Sequence, residues 1–137
     1  MFFFSRLITP YYLVQWGVVS LSFMAEAMWL MKKNNYATAA KILESHLQDS
    51  DLRPSAKIGI MAWIAECHLK AKDHGLAARW FELAGSATLK CDELMPWEKK
   101  KRAIQEFDLA LSHYEAIDDI DGISRVATLR YSLTMTN

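Results

Sequence analysis

Along most of this chain apolar residues recur every three or four positions rather than every second one, the spacing that gathers them on one face of a helix. After the pair Asn34-Asn35, the residues Tyr36, Ala39, Ala40, Leu43 and Leu47 share such a face. Ile60, Ile64, Cys67 and Ala71 form a second stripe. Leu76, Trp80, Leu83 and Ala84 form a third, with Asp73 between the two as a helix N-cap. The last stripes are Ile104, Phe107, Leu111 and Tyr114 and, past Asp118-Asp119-Ile120-Asp121-Gly122, Ile123, Val126, Leu129 (or Arg130) and Leu133. Ahead of them, an apolar stretch from about Pro10 to Lys33 predicts one long helix, which makes six. Val19-Ser20-Leu21-Ser22-Phe23 alternates and reads locally as a strand, but it lies inside that longer helical pattern, which overrides it.

All three prolines stand where a helix can begin: Thr9-Pro10, Arg53-Pro54 and Met95-Pro96. Proline in a first helical turn forfeits no hydrogen bond, because that amide has no intrahelical partner. Their separations of 44 and 42 residues are nearly equal and suggest three structural units of one kind. Each unit is predicted to be a helical hairpin. The expected fold is all-α, with about six helices as three antiparallel hairpins in a single domain over residues 1–137.

Composition supports this and narrows the partners. Only five glycines and three prolines punctuate 137 residues, too few for the many tight corners of an all-β fold, and 52% apolar content excludes a disordered chain. Sixteen Lys and Arg match sixteen Asp and Glu, so no global field recruits nucleic acid or an anionic surface. The balance is uneven, however. Residues 1–31 carry just two charges, Arg6 and Glu26, and none lies between Leu7 and Ala25. That run is just long enough to span a bilayer, yet Thr9, Pro10, Gln15, Ser20 and Ser22 offset its apolar residues and leave insertion near zero. The expectation is an apolar N-terminal helix over residues 1–31 buried against the rest of the chain or a partner. A membrane span at residues 7–25 is one alternative, and a targeting segment ending at Ala25-Glu26-Ala27 is the other. Cys67 and Cys91 stand in neither a disulfide nor a zinc spacing, so a reduced, cytoplasmic chain is the default, with membrane association as the alternative.

The second unit resembles a tetratricopeptide repeat. Ile64-Ala65, His68, His74, Ala77, Phe81 and Ala84 occupy the spacing of that family's Leu-Gly, Tyr, Tyr, Ala, Phe and Ala. Small residues are needed where the helices of a hairpin cross closely, and Ala65, Ala77 and Ala84 supply them. The first unit follows the pattern through Ala27, Leu30, Tyr36, Ala39, Leu43 and Leu47, with Glu26 and His46 departing from it. In the third unit it is degenerate, with Leu111-Ser112 and Ser124 as the best matches, and the units are longer than the family's 34 residues. The resemblance covers about residues 23–86.

It implies a superhelix of α-helical pairs, a scaffold that binds protein or peptide, and no chemistry of its own. It also implies an inner groove lined by the first helix of each pair. In the first unit those positions are Leu21, Met24, Met28, Met31 and Lys32; in the second they are Gly59, Ala62, Glu66, Leu69 and Lys70. Met24, Met28 and Met31 form a stripe of unbranched, polarizable side chains that suit varied apolar partners, although ordinary core packing is the simpler explanation of such a stripe.

Other candidate sites reduce to simpler explanations. Glu98-Lys99-Lys100-Lys101-Arg102 is a basic run that reads as a solvated helix face, with no strong nucleic-acid signal. Asp118, Asp119 and Asp121 before Gly122 lack the acids that a calcium loop needs at its first and twelfth positions, occupied here by Ile117 and Thr128. His46, His68, His74 and His113 show no metal spacing, and Glu66-Cys67-His68 are successive residues that point about 100° apart on a helix. No metal, cofactor or enzymatic activity is expected. The expected function is that of an adaptor or small chaperone holding an apolar helix or peptide. The alternative is a structural subunit or assembly factor docked through its N-terminal helix into a larger complex. Self-association is compatible with a last helix that lacks a strongly polar face.

Overall fold

A computed structural model describes residues 21–49 and 51–135, with side chains from Met24 onward. Pro10, most of the 7–25 stretch and the side chain of Leu21 lie outside the described residues. The described residues form six helices and no strand: α1 (Leu21–Lys32), α2 (Tyr36–His46), α3 (Pro54–Lys70), α4 (His74–Leu89), α5 (Pro96–Ala116) and α6 (Ile120–Met135). Packing runs between chain neighbours, α1 on α2 through to α5 on α6. The fold is all-α, as the periodicity predicts, and Leu21–Phe23 is helical rather than a strand. Among the described residues no helix is long and apolar enough to cross a membrane.

Three connections are three-residue turns of one design. The amides of Asn34 and Asn35 donate to the carbonyls of Met31 and Leu30, those of Lys72 and Asp73 to Leu69 and His68, and those of Asp118 and Asp119 to Glu115 and Tyr114. This is the Schellman pattern, in which the residue past the helix adopts a left-handed conformation. Asn34, Lys72 and Asp118 do so, with φ of 62°, 65° and 54°. The next residue then starts the following helix. Asp73 accepts from the Leu76 amide at 3.0 Å, and Asp119 from the Gly122 amide at 3.0 Å. One residue thus ends each first helix and opens its partner, which fixes the hairpins at residues 33–35, 71–73 and 117–119.

The two longer connections end differently. Arg53 and Met95 are extended residues ahead of Pro54 and Pro96, and neither side chain caps its helix. At α3 the cap is distant: the Glu93 carboxylate accepts the Ser55 amide at 2.9 Å. That hydrogen bond holds the Glu93 carboxyl below its usual range.

Two apolar clusters carry the packing. One joins α1, α2 and α3 through Met24, Ala27, Leu30, Ala39, Leu43, Ile60 and Ile64; the other joins α3 to α6 through Ala65, Ala77, Phe81, Phe107, Tyr114 and Val126. Trp80 packs against both.

The sequence pattern and the structure differ at two helices. On α4 the buried face is Ala77, Ala78, Phe81, Ala84, Gly85 and Thr88, while Leu76 and Leu83 are exposed. Of the stripe Leu76, Trp80, Leu83 and Ala84, Ala84 is buried and Trp80 packs against both clusters, whereas the two leucines lie outside the buried face. α4 lies between α3 and α5, and approach on both sides selects small side chains over large ones. α6 begins at Ile120 rather than past Gly122, which lies inside the helix and is buried. A Cβ on Gly122 would lie 2.6 Å from the Tyr114 ring, and one on Gly85 would lie 2.6 Å from the Phe107 ring. The Phe107 and Tyr114 rings of α5 thus rest on the backbone of neighbouring helices.

Gly85→Ala and Gly122→Ala should each lose about 1–3 kcal/mol in urea unfolding, because rigid rings of the core must move to admit the methyl group. Gly75→Ala, whose new Cβ would meet Ile117 at an ordinary 3.5 Å, should be neutral or slightly stabilising.

Candidate interaction surface

The methionine stripe of α1 is split by packing. Met24 is 4% exposed and belongs to the cluster with Ala39, Ala40 and Leu43 of α2, so it is a core residue and is not available to a partner. The reason is geometric: Met24, Ala27 and Leu30 recur at three-residue spacing on the side that faces α2, whose alanines leave room for the longer chains. Met28, four residues past Met24, is 46% exposed. Met31 lies between these extremes, and its sulfur accepts the Trp63 indole N–H at 2.9 Å. That contact ties α1 to α3 and brings the surface of α1 beside that of α3.

Of the other groove positions, Lys32 and Lys70 are exposed, while Gly59, Ala62, Glu66 and Leu69 are half-buried. The sequence reading omitted Trp29, which is 58% exposed beside Met28 and carries the Lys33 ammonium 5.8 Å above its ring. The omission has a simple cause, because a lone Trp one residue off a stripe gives no periodic signal. Met28, Trp29 and Lys32 form an outward face on α1, with Met31 anchored at its border with α3.

A second set of polar groups lies between α4, α5 and α6. The Tyr114 hydroxyl donates to Glu82 at 2.7 Å, and Arg125 donates to both oxygens of that carboxylate at 2.6 and 2.9 Å. Burial pushes the Glu82 carboxyl up, but the hydrogen bonds from Arg125 and Tyr114 prevail and hold it below its usual range. Burial and the Glu82 hydrogen bond push the Tyr114 phenol up to about 12. Arg130 pairs with Asp108 across α5 and α6.

Two further pairs join α4 to α5. The Nδ1 atoms of His74 and His113 lie 3.1 Å apart, and His113 stacks on Phe81. One ring must donate and the other accept, so at most one is charged while the bond lasts. Burial, then the neighbouring His74, lowers the His113 pKa. The Thr88 hydroxyl lies 2.7 Å from the Ala84 carbonyl and 2.6 Å from Glu106. A hydroxyl has one hydrogen, so Thr88 shares it between the Ala84 carbonyl and the Glu106 carboxyl. Burial pushes the Glu106 carboxyl up to about 7, against the Thr88 hydrogen bond and the Arg102 charge.

Cys67 and Cys91 are both free and buried. Burial, with the Glu66 charge as a lesser cause, pushes the Cys67 thiol up to about 12, far from a reactive thiolate at neutral pH. Among the described residues no group of three or more His, Cys, Asp or Glu is placed to hold a metal ion. Comparison of the chain with protein-family models, curated proteins and solved structures finds no match.

The pH dependence follows from these pairs. Glu106 is harder to ionise in the folded chain, so its contribution is intact below 4.5 and is lost as pH rises through about 7. His113 acts in the opposite direction, its contribution being intact above the ordinary imidazole range and lost as pH falls through its lowered pKa. Glu106→Gln should therefore flatten the loss of unfolding free energy between pH 5 and 8, measured by urea titration at each pH, while leaving the acid-side fall in place. Charge placed on α1 should sort its methionines: Met24→Glu should cost about 3 kcal/mol or more, and Met28→Glu should stay within about 0.5 kcal/mol of wild type.

Proposed function

We propose that this chain is a non-enzymatic interaction adaptor, or small chaperone, that holds an apolar helix or peptide against the face shared by α1 and α3. The observation that carries this reading is the exposure of Met28 and Trp29 side by side on α1, at 46% and 58%. Large apolar side chains of a stable helix seldom stay in water together without a role, and Met with Trp suits an apolar partner of variable shape.

The surroundings suit the same use. Lys32 on α1 and Glu66 and Lys70 on α3 supply a polar margin, while Leu69 packs toward the cluster that joins α3 to α6. The Trp63–Met31 contact ties the border of this face to α3. The resemblance to tetratricopeptide repeats points the same way. Its small residues, Ala65, Ala77 and Ala84, are fully buried where α4 packs against its neighbours.

A labelled amphipathic peptide with Leu at i, i+3, i+4 and i+7 should bind the full chain, as read by fluorescence anisotropy. Met28→Glu and Trp29→Glu should each weaken that binding at least tenfold, since each anchor is worth about 1.5–3 kcal/mol when buried. Equal affinity of wild type and both variants would sink the proposal.

A further inference from the structure

A second exposed apolar pair lies far along the chain from α1. Met95 and Trp97, at the start of α5, are 60% and 66% exposed. The core face of that helix is Ala103, Phe107, Ala110 and Tyr114, so both side chains lie outside the core. Immediately after them come Lys99, Lys100, Lys101 and Arg102.

The geometry points to this segment as a docking site for an anionic phospholipid surface. Lys100 and Lys101 follow Trp97 by three and four residues, which places them on its side of the helix. Lys101 is exposed. Lys99, Lys100 and Arg102 are half-buried along stems long enough to carry their charges outward. Glu98 lies within this run, and Asp92 and Glu93 stand in the preceding connection, where the Glu93 carboxylate accepts the Ser55 amide. An indole belongs at the headgroup level of a bilayer, a thioether chain can pass just below it, and lysines reach lipid phosphates from the same face.

Charge decides among anionic partners. A chain of zero net charge has no long-range attraction for a nucleic acid, whose affinity depends on many phosphate contacts. At a bilayer the apolar insertion of Met95 and Trp97 supplies affinity, and the cations on the Trp97 side of the helix, Lys100 and Lys101, supplement it at short range. A flat, soft surface also asks for no groove around the two side chains. This inference is independent of the α1 and α3 face and survives if that proposal fails.

Flotation of the full chain with phosphatidylcholine vesicles, with and without about 30% phosphatidylserine, tests it. Partition should be stronger with the anionic lipid and should fall as salt is raised. Lys100→Gln with Lys101→Gln should lower the phosphatidylserine-dependent partition about twenty-five-fold, from a loss of about fivefold per cation. Met95→Ser with Trp97→Ser should lower it at least tenfold with the circular dichroism spectrum and unfolding midpoint unchanged. Vesicles with brominated acyl chains should quench wild-type tryptophan fluorescence, and Trp97→Phe should remove most of that quenching while the protein still floats. Equal partition into neutral and anionic vesicles, no partition into either, or wild-type behaviour of the Met95 and Trp97 variant would each overturn the proposal.

Discussion

The distance at which α4 and α6 can approach α5 governs the second half of the molecule, and two glycines set it. With no Cβ at Gly85 or Gly122, the rings of Phe107 and Tyr114 lie directly against backbone. Once Tyr114 is seated on Gly122, its hydroxyl reaches Glu82 on α4, and the same carboxylate receives Arg125 from α6. One ring thus couples a steric fit to a three-helix polar network. Apolar packing sets the spacing, and the bidentate ion pair sets the rotation of α6.

The same economy appears in the turns. Each hairpin closes through three residues, the middle one left-handed and the last serving as the start of the next helix. None of the three left-handed residues is a glycine, so each carries a conformational cost of about 1 kcal/mol that the paired Schellman hydrogen bonds offset. Uniform hairpins joined by two longer connections produce a stack in which helices pack on chain neighbours. Such a stack leaves much of each outward face unused by the core. Two of these faces carry unlike chemistry: Met28 and Trp29 stand beside Lys32 on α1, and Met95 and Trp97 precede four cations on α5. Neither pair belongs to the buried core.

The α4–α5 interface holds two titratable pairs whose protonation preferences oppose one another. His113 is destabilising when charged and Glu106 is destabilising when ionised, so the interface favours an intermediate pH. Both effects arise from burial beside Phe81 and Thr88 rather than from a neighbouring charge of opposite sign.

Much of the architecture was legible in the sequence. Spacings of three and four residues announced the helices, Pro54 and Pro96 marked two starts, and Asn34-Asn35 and Asp73 marked two turns, because helix periodicity and capping depend on local backbone chemistry. Met28 could be picked out as a surface candidate, but Met24 looked identical to it, since two residues at the same spacing on one stripe differ only in what packs against them. Leu76 and Leu83 looked like core for the same reason, and Trp29 and Trp97 left no periodic trace. Among the described residues, helix type and order were therefore legible in the sequence alone. Only the tertiary structure decided which arc of each helix is covered, because burial is a property of the neighbours' distance, and that distance depends on contacts such as Phe107 on Gly85, made by residues 22 apart in the chain.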